Sequence, residues 1–233
     1  KYHVPRCFID VPYELSQESF HYVAKQLQQM VHFIEDHAHR LISDEDLRAR
    51  LDITRRSCEL YRTYLAQSGE KYLSGDVTSQ MYEIMTNHML LGSDEALRYW
   101  KMTVDDYGRA VPNRGVKLLW IHTIPFAQPP VRALLNCNTR ARIVAFEMSY
   151  ESMIIDEKES DPYLAMARRM VYSAFNGDID HRIEQVLLVQ KLGHADGAVF
   201  FGHWGCKATL ASSPMVKSGL VASSFSVAVR ILS

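Results

Sequence analysis

Nowhere in its 233 residues does this chain string together the roughly 18 apolar residues that a bilayer-spanning helix needs, so no membrane partner is expected. Its first residues, Lys-Tyr-His-Val-Pro-Arg-Cys, lack the apolar core of a signal peptide. Neither sign of charge is in surplus: 26 Lys and Arg stand against 27 Asp and Glu, a formal net charge of −1. No local run of basic residues makes the stripe that a nucleic-acid backbone demands, and no nucleic-acid partner is expected. Cysteine is sparse and dispersed. Cys7, Cys58, Cys137 and Cys206 form no Cys-x-x-Cys pair, which removes any zinc signature and argues against a disulfide framework. A reduced, cytoplasmic protein is the expectation. Also missing are Gly-x-Gly-x-x-Gly, a Walker lysine loop and Gly-x-Ser-x-Gly, the familiar signatures of dinucleotide, nucleotide and serine-hydrolase sites. There is no internal repeat and no low-complexity tract.

What is present is ordinary globular material, 47% hydrophobic and 23% charged, enough for one large domain or two small ones. Residues 7–11, Cys-Phe-Ile-Asp-Val, read as a short strand ending at Pro12. A long helix follows Ser16, with Phe20, Val23, Leu27, Met30, Val31 and Ile34 at the spacing of one buried face. A second opens at Ser43-Asp-Glu-Asp46, a good cap with early acidic residues, and runs to Gly69. A third is expected over 77–91 and a fourth from Ser93 to about Val111, so residues 13–111 read as almost wholly helical. Beyond Pro112 the texture changes. Strands are expected at 116–121, 142–146 and 197–201. Helices are expected at 130–137, from Pro162 to Asn176-Gly177, at 180–193, and after Cys206. Strands alternating with helices describe a parallel α/β sheet, here half of a Rossmann-like unit with its loops opening at one end.

In such sheets ligands sit just beyond the carboxyl ends of the strands. The stretch Gly197-Ala-Val-Phe-Phe-Gly-His-Trp-Gly-Cys-Lys207 is a strand, a glycine turn and the start of a helix, with Cys206 at the junction. Backbone N–H groups and the helix dipole there favour a thiolate. A cysteine in a fold is most often a small apolar side chain. The small flanking residues and Lys207 set this one apart. His122 and Glu147 fall at the ends of the two other strands and, with Cys206, make a ring of three polar groups. Solvated loop residues look the same on paper. His203 is the nearest candidate base in sequence. His32, Asp36, His37 and His39 resemble a metal cluster but occupy the exposed end of an amphipathic helix. Cys7, Cys58 and Cys137 are expected to pack, and Tyr61, Tyr64, Met81 and Met85 to be core or interface positions.

Pro125-Phe126, Ile143-Val-Ala-Phe-Glu-Met-Ser-Tyr150, Asp161-Pro-Tyr163 and His203-Trp-Gly-Cys-Lys207, in that order, resemble the 2-hydroxyacyl-CoA dehydratase component D family. Benzoyl-CoA reductase subunits and double-cubane cluster proteins belong to the same superfamily. The opening Phe8-Ile-Asp-Val-Pro12 before a long helix also fits, so the resemblance spans about residues 5–220. It implies heterodimers of two related subunits, each with two α/β domains and a helical connection, each holding a 4Fe-4S cluster through three cysteines. An ATP-hydrolysing iron–sulfur activator would inject one electron into an acyl-CoA substrate. The ketyl radical so formed would expel the neighbouring hydroxyl.

Carried over by position, Cys206 matches the third cluster cysteine. His203, Trp204 and Lys207 would flank the cluster, and His122 and Glu147 would line the adjoining pocket. The first two ligands would precede Lys1. Cys7, Cys58 and Cys137 match no ligand position. The resemblance divides the chain into residues 1–12, the tail of a preceding α/β domain, 13–112, a helical connecting segment, and 113–233, a Rossmann-like domain. At 221–233 it predicts that the next strand and its loop are lost, although the stretch can still pair as a strand. A chain that starts without Met, and within an element, is expected to be a fragment that is inactive alone and holds an incomplete ligand set. Two other roles stay open. One is a benzoyl-CoA reductase-type or double-cubane reductase subunit, and the other a non-catalytic relay or structural subunit.

Overall fold

A computed structural model describes residues 4–124, 128–149, 159–202, 205–223 and 226–230. Pro125, Phe126, Tyr150, residues 156–158, His203 and Trp204 lie outside the described residues. The chain opens in irregular structure, and the strand expected at 7–11 does not form. Its one ladder-like contact comes from a side chain. Gln26 Oε1 accepts from Asp10 N at 2.8 Å, and Gln26 Nε2 donates to Asp10 O at 2.9 Å. A single amide mimics a strand neighbour for one residue and can extend the ladder no further.

Gln26 belongs to α1 (Gln17–Ala38), capped by Ser16, whose hydroxyl accepts from Ser19 N. Phe20, Val23, Ala24, Leu27 and Val31 form its buried face, while Ile34 at the far end is exposed. α2 (Asp44–Glu70) starts with a reciprocal capping box between Ser43 and Asp46, as its opening sequence predicts. β1 (Lys71–Tyr72) follows, then α3 (Val77–Met89), α4 (Asp94–Arg109) and β2 (Val111–Pro112). β1 and β2 pair antiparallel and interrupt the otherwise helical region. The α/β part comprises β3 (Val116–Ile121), α5 (Pro129–Leu135), β4 (Ala141–Phe146), α6 (Pro162–Val171), α7 (Ile179–Leu192), β5 (Gly197–Phe201), α8 (Lys207–Ala222) and β6 (Ser226–Arg230). α6 stops at Val171, short of the Asn176-Gly177 boundary. The fold is α/β, as expected.

The four strands lie in the order β4-β3-β5-β6, all parallel. Of the two readings of the stretch after Leu220, pairing as a strand is the one the structure shows. Ser226–Arg230 pairs in register with Gly197–Phe201, and α8 supplies the crossover. Alternate residues point to opposite faces of the sheet. Leu119, Ile121, Val144, Ala198 and Phe200 join Tyr61, Tyr64, Leu65, Trp100 and Tyr107 of α2 and α4, with Val186, Val216 and Leu220 of α7 and α8. Trp120, Ile143, Phe146 and Phe201 meet Ile84 of α3, with Val131 and Leu135 of α5 against them. A third cluster packs α1 against α6.

α2 is bolted to the sheet by Ser68 Oγ, which donates to Val144 O at 2.7 Å. The approach is close because both surfaces are bare there. A Cβ on Gly69 would collide with Gly193 O, and a Cβ on Gly193 would stand 2.9 Å from that of Ala145.

The cysteines divide. Cys58 is fully buried in α2, 3.8 Å from Arg169 Nη1, and burial pushes its thiol pKa up. Cys7 and Cys137 are exposed, contrary to the expectation that they pack. Cys7 lies in irregular chain. Cys137 sits in a turn with φ 51°, its N–H donating to Gly75 O.

Candidate active site

The crossover from β3 runs to β4 on one side, and the next returns from β4 past β3 to β5 on the other. At such a reversal the loops after the two central strands diverge and leave a crevice at their carboxyl ends. His122 is the first residue after β3, and Cys206 lies at the end of the loop after β5. The chain thus brings together two residues 84 positions apart, with His122 Nε2 3.8 Å from Cys206 Sγ.

Each is held by a specific device. Cys206 is the N-cap residue of α8, half-buried, and its carbonyl accepts from Leu210 N at 3.1 Å. Thr209, one turn into the helix, lays its hydroxyl against the sulfur. The N–H groups of the first turn point toward this end, so a thiolate here gains from the helix dipole. His122 adopts φ 73°, a left-handed conformation that a residue with a Cβ rarely takes. Its N–H donates to Glu147 Oε2 at 3.0 Å, and Nδ1 stands 3.1 Å from Thr123 Oγ1. Trp120 Nε1 donates to Thr123 O at 2.9 Å and fixes the same turn.

Glu147 follows β4 and is only 1% exposed. Arg182 of α7 clasps it, Nε to Oε1 at 2.7 Å and Nη2 to Oε2 at 3.1 Å. Arg182 Nη1 donates to Ser212 Oγ at 2.7 Å, and Ser212 passes the connection to Thr209 O at 3.1 Å. The guanidinium also lies over the Phe175 ring, 5.1 Å from its centroid. One buried ion pair therefore spans the His122 turn, the end of β4, α7 and the first turns of α8. Glu147 works from beneath the crevice, as the acceptor that sets the His122 backbone.

Arg182, Thr209 and Ser212 escape a reading of the sequence by strand ends. One clue to Arg182 was available: it stands three residues after Ile179 and four before Val186, on the buried face of its helix. Lys207, the first residue of α8, is exposed. His203 and Trp204 fall outside the described residues. Exposed His32 pairs with Glu35, and exposed His37 Nδ1 lies 2.7 Å from its own helix's Phe33 O, the arrangement of a solvated face.

The family model of the 2-hydroxyglutaryl-CoA dehydratase D-component matches residues 1–225 of the 233. The chain belongs to that family. No curated protein matches it. Membership of the D-component family makes the chain a component of a 2-hydroxyacyl-CoA dehydratase, and implies a partner component and an activator. No described helix is long and apolar enough to cross a membrane.

The family also suggests an iron–sulfur group, and the D-component's residues can be tested against one. Cys206 fits one ligand position: a soft donor, half-exposed, at a helix N-terminus over the crevice, with an imidazole beside it. The fit stops there. Among the described residues no three His, Cys, Asp or Glu side chains come close enough to hold a metal. Cys58 is sealed inside α2, and Cys137 precedes β4, at the opposite edge of the sheet.

Proposed function

We propose that this chain is a subunit of an iron–sulfur 2-hydroxyacyl-CoA dehydratase, in which Cys206 supplies one thiolate to a 4Fe-4S cluster completed by ligands outside the described residues. The observation that supports it is the meeting of His122 and Cys206 at the sheet's reversal point, in a chain of this family. Bound there, the cluster would supply one-electron reduction and a Lewis-acidic iron for the thioester carbonyl, allowing loss of water through a ketyl radical. Elimination of water is redox-neutral, so the electron returns at the end of a turnover.

The chain's own residues do the positioning. Glu147 and Arg182 hold the His122 turn and α8 in fixed relation. Thr209 shares a hydrogen bond with Cys206 Sγ. His122 offers an imidazole beside the sulfur, where it can hold a proton near the departing hydroxyl. His203, Trp204 and Lys207 complete the mouth in this reading. Residues 1–12 are the tail of a preceding domain, 13–112 the connection and 113–233 the α/β domain. The partners are a related second subunit, an ATP-hydrolysing iron–sulfur activator and an acyl-CoA. The compartment is the cytoplasm, where the four thiols of the chain stay reduced.

The test is iron and sulfide analysis of the anaerobically assembled complex, alongside its activity on a 2-hydroxyacyl-CoA. Cys206→Ala should lower the iron bound by this subunit and abolish dehydration. Unchanged iron content would refute the assignment. Reduction of an aromatic acyl-CoA in place of dehydration would move the chain to the reductase branch.

A further inference from the structure

At the amino ends of the strands, across the sheet from the crevice, lies a second cavity of about 210 Å³. Its wall includes Tyr72 of β1, Glu83 of α3, Tyr99, Asp106 and Tyr107 of α4, and Arg142 of β4. Glu83 is 9% exposed. Tyr64 OH donates to its Oε2 at 2.6 Å, and no described residue donates to Oε1.

The strongest donors around the cavity are already engaged. Arg142 Nη1 serves Lys71 O and Leu73 O, and Nη2 serves Tyr107 OH. Gln80 Nε2 donates to Ile143 O, while its Oε1 is buried and accepts nothing. Thr103 Oγ1 donates to Tyr99 O. What remains toward the cavity is one oxygen of the Glu83 carboxylate, set between aromatic rings.

We propose that this cavity binds a small organic ammonium, its N–H groups directed to Glu83 Oε1 and its alkyl part lying against the tyrosine rings. An ammonium is the ligand class that brings several donors and no acceptor, and tyrosine faces favour it. Charge agrees. Ionised Glu83 and Asp106 outweigh Arg142 by one negative charge. The guanidinium itself is anchored over Tyr72 and Tyr107, with centroid distances of 5.7 and 5.4 Å. The volume equals that of about seven liquid waters, room for a short alkylamine.

The site should respond to pH. Burial pushes the Glu83 carboxyl pKa up to about 7, against the pull of the Tyr64 hydroxyl and the Arg142 charge. The facing hydroxyls of Tyr64, Tyr99 and Tyr107 are pushed up by burial and stay neutral. A proton on Glu83 therefore competes with the ligand.

The experiment is titration of the full chain with butylammonium, with butanol as the neutral isostere, followed by chemical shifts or thermal shift. Butylammonium should bind, and its affinity should rise about tenfold from about pH 6 to about pH 8. Glu83→Gln keeps the shape and the Tyr64 hydrogen bond, and should weaken binding about 10- to 100-fold and flatten that pH dependence. Equal effects from butanol, no response to butylammonium, or full affinity in Glu83→Gln would each overturn the proposal. None of these outcomes depends on the dehydratase assignment.

Discussion

A carboxylate and a guanidinium taken out of water together are tolerable only while each has the other. Glu147 and Arg182 meet that condition with two hydrogen bonds, Arg182 Nη1 donates to Ser212, and the carboxylate also accepts the His122 N–H. Arg182→Met removes the cation and leaves Glu147 charged, buried and short of partners. Such a loss costs about 3–5 kcal/mol, and chemical denaturation of the variant should show it. Combining it with Glu147→Gln should recover a good part of that cost, because the orphaned charge disappears with its carboxylate. A double variant no more stable than Arg182→Met would mean the pair is not the clamp described here. At this scale the strand-end rule made His122, Glu147 and Cys206 legible in the sequence, because it needs only the position of each strand terminus. Arg182 was not legible. Its partner lies 35 residues away, and pairing at that range is decided by how α7 is laid against β4.

Elements were more legible at their starts than at their ends. Ser16, Ser43 and Ser93 cap their helices through side-chain oxygens, a local signal that survives tertiary packing. The segment 7–11 misled because an apolar run reads as strand whether or not a neighbour exists to pair with it. Here only the Gln26 amide does. α8 shows an element overruling its own sequence, since Pro214 lies inside it. Proline has no N–H to give Leu210 O, four residues back. Ser213 Oγ donates to that carbonyl at 3.0 Å instead. Ser213→Ala should then leave a carbonyl unpaired in a half-buried stretch and cost about 1 kcal/mol, read by denaturation. Pro214→Ala restores the backbone donor. In that background Ser213→Ala should cost only a few tenths of a kcal/mol. An equal penalty in both backgrounds would show that the serine serves something other than the proline's gap.

At the scale of the whole molecule, the helical layer and the sheet share one core, and their separation is set by backbone contact. Gly69 of α2 rests on the Gly193 carbonyl at the end of α7, and Gly193 rests on Ala145 of β4. The sequence marked Gly69 only as a helix end. Nothing local distinguishes a glycine that terminates a helix from one that lets it lie close to a neighbour. The same substitution made at two helical glycines separates these roles. At Gly108 in α4 a new Cβ would meet nothing nearer than Gln67 Nε2 at 3.8 Å, an ordinary contact. Gly108→Ala should stabilise the chain by about 0.5–1 kcal/mol, the usual gain from restricting the unfolded backbone. At Gly69 the obstacle is backbone, which cannot rotate away as a side-chain tip can. Gly69→Ala should destabilise by about 1–3 kcal/mol, the scale of overpacking, because α2 must lift from the sheet and loosen the Ser68 bond to Val144 O. Opposite signs for two identical changes, measured in one denaturant series, are the signature of glycine-set layer spacing. A gain at both positions would show that α2 can move away from the sheet at little cost.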